Sequence, residues 1–294
     1  MSWTDVSVFV FNHAKSLQFA LFGLVIISLW LAELGASARP AMQKLAHTSL
    51  NAFYMLAAMP IQVMMMIVCT FAAGWTMEHH WGLVYFLPQS ENPWIRLGLM
   101  VLVLDLLDYA YHRAAHKFSP LWRFHLLHHT DSAVDVSTTF REHPVETLIR
   151  TSLLALAVFF CGASLAALVI RQTLETFANT SQHTTFRLPN WLSRALGYVF
   201  ITPNLHHTHH HFETPGTNCN YGDVLSIWDR LFGTYIDLPA DDIVFGLDTH
   251  AGQNADGKLL RLLSVILPSR ISQTLATLGR SENLNATPAD SVAG

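Results

Sequence analysis

The chain has 294 residues, 51 % of them hydrophobic and only 13 % charged, with a positive mean hydropathy, a composition that excludes an ordinary soluble fold and makes the bilayer the expected solvent. A net charge of −4 without a basic, aromatic-interleaved stretch excludes nucleic acid as a partner. Three widely spaced cysteines, Cys69, Cys161 and Cys219, exclude both a disulfide framework and an iron–sulfur or rubredoxin-like module.

In chain order, Met1–Ala14 lacks the basic region of a secretory signal and no small-residue cleavage site follows, so the first apolar run is expected to be retained. Leu17–Leu34, Asn51–Trp75 and Trp94–Tyr111 are each long enough to cross about 30 Å of hydrocarbon. Arg39 and Lys44 lie between the first two, whereas Met77–Pro93 carries Glu78 and Glu91 but no Lys or Arg. Positive charge marks the cytoplasmic side, so the first loop is expected there, together with the segment after Tyr111, where Arg113, Lys117, Arg123 and Arg141 add support.

The fourth apolar stretch, Leu148–Ala178, is about thirty residues long, with Cys161-Gly162-Ala163-Ser164 at its middle. That length exceeds one span and falls short of two, so a helical hairpin dipping into the membrane is predicted, each arm reaching roughly 20 Å; a single tilted helix is the alternative. Beyond residue 240, Lys258–Arg280 alternates Leu and Ile with basic residues and predicts an interfacial amphipathic helix, and Ser281–Gly294 a disordered tail. Three regions result: a membrane hairpin over 1–93, a histidine-rich region over 94–240 and a C-terminal region over 241–294. The predicted fold is all-α and integral to the membrane, with three or four embedded elements and a cytoplasmic histidine-rich cap.

Histidines dominate the middle region. His112 and His116 are four residues apart at the end of the third span, on one helical face. His125, His128 and His129 follow at intervals of three and four, which stacks the first with both others. His183 stands alone, and His206, His207, His209, His210 and His211 form a last cluster in which His206, His209 and His210 repeat the spacing seen at His125. His207 and His211 supply a second possible register. Two, three, one and three make nine imidazoles, too many for one ion and suited to two with a position left open. Alone, each cluster reads as a structural or adventitious feature; on one face of a membrane they read as a metal site.

Asp105 and Asp108 precede His112 within two turns and are costly in lipid unless they face a polar interior, so they are predicted to accept ring N–H bonds from the ligands, or, for Asp108, to cap the helix or pair with Arg113. His143, beside a proline-initiated helix start with Glu146 in its first turn, is predicted to be structural or to support a ligand from outside, with a tenth ligand as the lesser alternative.

The order His-x3-His, His-x2-His-His, Arg141-Glu142-His143-Pro144-Val145-Glu146, a lone histidine and His-x2-His-His, closed by Asn220-Tyr221-Gly222-Asp223 and Ile227-Trp228-Asp229-Arg230-Leu231-Phe232-Gly233-Thr234-Tyr235, resembles the fatty acid hydroxylase superfamily, which includes sterol desaturases and sterol C4-methyl oxidases. The resemblance covers about Leu104–Tyr235. It implies a membrane non-haem di-iron enzyme that spends O2 and two electrons on hydroxylating a lipid or other hydrophobic substrate, with desaturation as the alternative outcome. It makes His112, His116, His125, His128, His129, His183, His206, His209 and His210 the iron ligands, and Trp228–Tyr235 packing beside them, with Asp229–Arg230 an ion pair and Gly233 a turn. No fused cytochrome b5 module or Gly-rich dinucleotide fingerprint is present, so a separate reductase, ferredoxin or cytochrome b5-like donor is implied. No retrieval signal selects an endoplasmic reticulum over a bacterial inner membrane.

Two rival readings have different signatures. A zinc membrane hydrolase needs about three protein ligands per ion and often a His-Glu-x-x-His base, which this sequence lacks. A metal transporter or non-catalytic metal-binding scaffold would place its ligands within the spans, whereas these clusters fall beyond the third.

Overall fold

The structure, a computed structural model, describes residues 3–36, 39–86 and 93–248, with the side chains of the first helix described from Ala20 onward. The predicted interfacial helix Lys258–Arg280 and tail Ser281–Gly294 lie outside the described residues. Helices α1 (Trp3–Ala36), α2 (Ala41–Glu78), α3 (Pro93–Lys117), α4 (Ser119–His129), α5 (Pro144–Cys161) and α6 (Leu165–Gln182) are followed by the short α7 (Asn190–Leu196), α8 (Pro203–His209) and α9 (Ile227–Leu231). Among the described residues there is no strand, only two isolated bridges, Phe200 to Leu225 and His211 to Phe245.

Among the described residues, two stretches are long and apolar enough to cross a membrane, Ala41–Phe86 and Pro144–Cys161, with Ala20–Ala36 a shorter apolar helix. Helix α3 contains the third predicted span, yet Arg96, Asp105 and Asp108 fall within it. Leu21, Leu24, Ile27 and Leu31 on α1 and Met59, Val63, Ile67 and Phe71 on α2 are exposed. Continuous apolar faces of that kind need an apolar neighbour.

The chain breaks where small residues interrupt the fourth apolar stretch. Helix α5 ends at Gly162, whose φ of 73° is left-handed, and Ser164 caps α6 by accepting from the Ala167 N–H. Gly162 also lies against the turn after α2: a Cβ here would meet the Trp81 carbonyl oxygen at 2.5 Å, and one on Gly82 would strike the Gly162 backbone. Helices α5 and α6 then part company, α5 packing along α2 and α6 against α3. Around this corner Ala73, Val84, Met100, Leu104, Val158, Ala163 and Ala167 form an apolar core, the alanines letting four helices approach closely.

Beyond that core the interior is ionic. Arg171 of α6 binds Asp108 of α3 at 2.6 Å and Glu175 at 2.7 Å, and Arg150 of α5 binds Glu175 at 2.6 Å and Glu142 at 2.8 Å. A second buried group ties α1 to the loop after α4: Glu33 accepts from Lys44 Nζ (2.8 Å), Thr184 Oγ1 (3.0 Å) and the N–H groups of Thr185 (2.7 Å) and Val136 (3.1 Å), while Lys44 also reaches Asp135 at 3.0 Å. Lys44 and Arg141, two of the charges counted above as cytoplasmic markers, are therefore buried, Arg141 on the Leu127 carbonyl and Thr130 Oγ1.

Gly162→Val adds a side chain where both φ and the Trp81 carbonyl exclude one. It is expected to cost at least about 1–3 kcal/mol, read as a lowered thermal unfolding midpoint of the purified protein, whereas Leu165→Val, at an exposed position three residues on, leaves the midpoint nearly unchanged.

Candidate metal centre

Nine histidines come together as two groups at the inner ends of α3, α4, α6 and α8. His112, His116, His125, His129 and His209 form one, and His128, His183, His206 and His210 the other; within each, the ring nitrogens lie within 4.8 Å of one another. Helix α3 supplies His112 and His116 as an i,i+4 pair, and His183 caps the C-terminus of α6. Helices α4 and α8 each serve both groups. On α4, His125 and His129 turn to the first and His128 to the second; on α8, His206 and His210 turn to the second and His209 to the first. The spacing of three and four thus splits each triplet between two positions, where the sequence alone stacked each on one face.

The register of the last cluster is also resolved. His207 donates from or accepts at neither group: its Nε2 faces the Thr184 carbonyl at 2.9 Å and its ring meets Phe245. His211 Nδ1 accepts from the Val244 N–H at 3.1 Å. His143 lies apart as the N-cap of α5, its Nδ1 accepting from the Val145 N–H.

Ring orientation follows from what each Nδ1 faces. His112 Nδ1 donates to the Tyr221 carbonyl (2.9 Å), His128 Nδ1 to that of Arg141 (3.3 Å), His183 Nδ1 to that of Asn179 (2.8 Å), His209 Nδ1 to that of Cys219 (2.6 Å) and His125 Nδ1 to Glu146 Oε1 (2.6 Å). Carbonyl and carboxylate oxygens only accept, so these five rings carry their proton on Nδ1 and leave Nε2 as a bare lone pair. Yet His112 Nε2 and His125 Nε2 are 3.2 Å apart, and His128 Nε2 and His183 Nε2 3.0 Å. Two lone pairs cannot hydrogen-bond each other. Imidazoles bound to one metal at about 2.1 Å and near right angles have nitrogens roughly 3.0 Å apart, so the spacing fits an ion in each group. His209 Nε2 and both nitrogens of His116 are buried with no hydrogen-bond partner among the described residues.

Electrostatics favour the same state. Burial, then repulsion between neighbouring imidazoles, holds His128, His129, His206 and His210 well below the usual histidine range; burial brings His183 down to about 4 and His209 to about 3. These six rings are held in the neutral form, the one that ligates metal.

The carboxylates predicted to orient the ligands do other work. Asp105 accepts from Trp228 Nε1 (2.7 Å) and the Val224 N–H (3.3 Å), and Asp108 takes Arg171 rather than Arg113 or an imidazole. Both act on helix packing, because their rows on α3 face α6 and the segment before α9 rather than the histidines. The residue that does orient a ligand is Glu146, whose place in the first turn of α5 was legible but whose partner His125 was not. Nor do Asp229 and Arg230 pair: Asp229 accepts from the Tyr221 and Gly222 N–H groups and Thr234 Oγ1, and Arg230 donates to the Gly197 carbonyl and lies 3.8 Å over the Tyr235 ring. Asp229 thereby fixes the turn that presents the Tyr221 carbonyl to His112. Gly233 is the turn expected of it, at a φ of 70°.

Two convergent clusters of inward-facing imidazoles on a helical scaffold have the donor sets of a histidine-box metal centre. Residues 97–234, which contain all nine histidines, match the fatty acid hydroxylase family model. Similar proteins include the ornithine lipid hydroxylase OlsE of Rhizobium tropici, 34 % identical over 49 % of this chain and 42 % of its own length. An alkylglycerol monooxygenase of Caenorhabditis elegans is 31 % identical over 54 % of this chain and 32 % of its own, and the fatty acid hydroxylase vlmA of a Lecanicillium species 27 % identical over 60 % and 49 %. The chain thus spans less than half the length of these relatives. No solved structure matches it.

Alanine at His207 or His211 is expected to leave metal content unchanged while alanine at His128 or His209 lowers it, measured by elemental analysis of purified protein. Glu146→Leu should weaken metal affinity about 10–100-fold, with Glu146→Gln, which keeps an acceptor for His125 Nδ1, recovering part of the loss in a chelator competition titration.

Proposed function

We propose that this chain is an integral-membrane, O2-dependent oxygenase that hydroxylates an unactivated C–H bond of a lipid, using two irons, one held by His112, His116, His125, His129 and His209 and the other by His128, His183, His206 and His210. The observation that carries this reading is the pair of lone-pair contacts at 3.0 and 3.2 Å between rings whose Nδ1 protons are committed elsewhere. Bound irons would supply the oxidising chemistry, so that substrate C–H, O2, two electrons and two protons become C–OH and water. Nine imidazole donors and no carboxylate among them suit iron in an oxygenase better than a zinc hydrolase, which needs fewer ligands and a free base.

The residues of the chain do the rest. Glu146 and four backbone carbonyls hold the rings so that little reorganisation accompanies a change of charge at the centre. Tyr221 and Trp122, whose rings lie 5.1 Å and 4.8 Å from that of His116, cover the five-histidine group on one side and help keep water from it. Three helices, α1 to α3, cross the membrane in this reading, α5 and α6 enter it as a hairpin, and the histidines face the cytoplasm, where Lys117 and Arg123 lie beside them. Electrons come from a separate reductase, ferredoxin or cytochrome b5-like protein in this reading. The hydrophobic substrate enters from the bilayer.

Protein purified from iron-57 medium is expected to hold close to two irons per chain with non-haem Mössbauer parameters. Reconstituted in nanodiscs with a ferredoxin and its reductase, it should place one atom from 18O2 in a member of a panel of ornithine lipid, alkylglycerol and free fatty acid, with His128→Ala inactive. Stoichiometric zinc that iron reconstitution fails to displace, with no oxygen incorporated, would overturn the reading.

A further inference from the structure

The short segments that close the metal centre carry a surface of their own. Tyr198, Val199 and Phe200 are 66 %, 45 % and 48 % exposed, and Leu231 and Phe232 70 % and 46 %. These two runs are held together: the Ser226 N–H donates to the Val199 carbonyl, Ser226 Oγ and Arg230 Nη2 donate to that of Gly197, and the Arg230 guanidinium lies 4.6 Å over the Tyr198 ring. They form one continuous aromatic and aliphatic patch with a single cation in it and no acidic side chain.

Its position along α3 decides what covers it. Asp105 and Tyr109, one turn apart on α3, hold this unit: Asp105 through Trp228 Nε1 and the Val224 N–H, Tyr109 by stacking on Phe232 at 5.4 Å and by a 3.0 Å hydrogen bond to Thr234 Oγ1. At 1.5 Å per residue Asp105 lies about 10 Å along the helix axis from His112, inside the stretch read as the third span. Leu102, Val103 and Leu107 of the same helix are exposed and apolar at that depth. A patch fixed at the level of an exposed apolar stretch of α3 and composed of tyrosine, arginine and large apolar side chains has the make-up of an interfacial membrane element.

We propose that residues 198–200 and 231–232 are seated in the lipid bilayer, at the boundary of headgroups and acyl chains of the leaflet nearest the histidines, and anchor the closing segments of the metal centre to the membrane. The partner is the lipid surface itself. Tyr198 and Arg230 sit at headgroup level, while Leu231 and Phe232 reach the acyl region. Asp105 would otherwise be a bare carboxylate in a span; Trp228 and the backbone of Val224 cover it, so the seat also removes a charge from lipid contact.

The proposal rests on α3 crossing the membrane but not on the oxidative chemistry, and nitroxide accessibility tests it. Cysteines introduced at Leu231, Leu107 and Glu213, each in a Cys161→Ala background of the full chain that keeps only the buried Cys69 and Cys219, checked for unchanged metal content and against the unsubstituted Cys161→Ala background for label uptake, are spin-labelled and reconstituted in phosphatidylcholine–phosphatidylglycerol nanodiscs. Collision with O2 should exceed collision with a water-soluble nickel chelate severalfold for the labels at 231 and 107, and the ratio should reverse at 213, which is exposed and away from the patch. A label at 231 that behaves like the one at 213, while 107 remains lipid-like, overturns the seat. Nickel access at 107 as well would overturn the span on which it rests, leaving the metal centre untouched.

Discussion

Everything about the centre depends on keeping unprotonated nitrogens face to face. Bare imidazole lone pairs 3.0–3.2 Å apart repel, and the cheapest escape in water would be to protonate one ring of each pair. Burial closes that route by making a cation costly, and the outward Nδ1 protons, bound to carbonyls and to Glu146, keep the rings from turning away. An ion between them would satisfy both conditions. The surrounding architecture can be understood as the means of enforcing this, from the glycine corner that sets α5 and α6 apart to the Arg141 guanidinium that fastens the end of α4.

Two ionic clusters carry that enforcement into the membrane-facing part of the molecule. Arg171 and Arg150 link α3, α5 and α6 just beneath the histidines, and Glu33 links α1 to the segments following His129 and His183. Removing one partner of such a buried group leaves the others uncompensated, so the clusters fix the relative placement of helices more than they add to stability. The carboxylates of α3 serve this packing, which leaves ligand orientation to backbone oxygen. Since a carbonyl is present whatever the side chain, the orientation of His112, His128, His183 and His209 is written in the path of the chain.

The helices, the break at Gly162 and the nine histidines were legible in the sequence because each rests on local spacing: length against the bilayer, small residues between apolar runs, intervals of three and four. What spacing could not give was the partner across the fold. Asp105 and Asp108 lie in the right rows of α3, yet their partners Trp228 and Arg171 come from segments some 60 to 120 residues away. The same holds for Glu146 with His125 and for Lys44, a loop cation by position and a buried one by structure. The division of each histidine triplet between two groups was hidden for a different reason: i,i+3 and i,i+4 neighbours share a helical face in projection, and only the histidines that α4 and α8 meet across the fold show that the face has two edges.

That division fixes a ruler into the molecule. Because α4 and α8 each place a histidine in both groups, the separation of the two groups is set by the rise and twist of single helical turns, among the least adjustable lengths in a protein. Loops around the centre can lengthen, and the surfaces that flank it can be reshaped, without altering that interval. A lineage remodelling such a scaffold for a new lipid would therefore be free to redraw the walls while the bite of the centre stays constant, and a change of bite would require shifting a histidine along its helix.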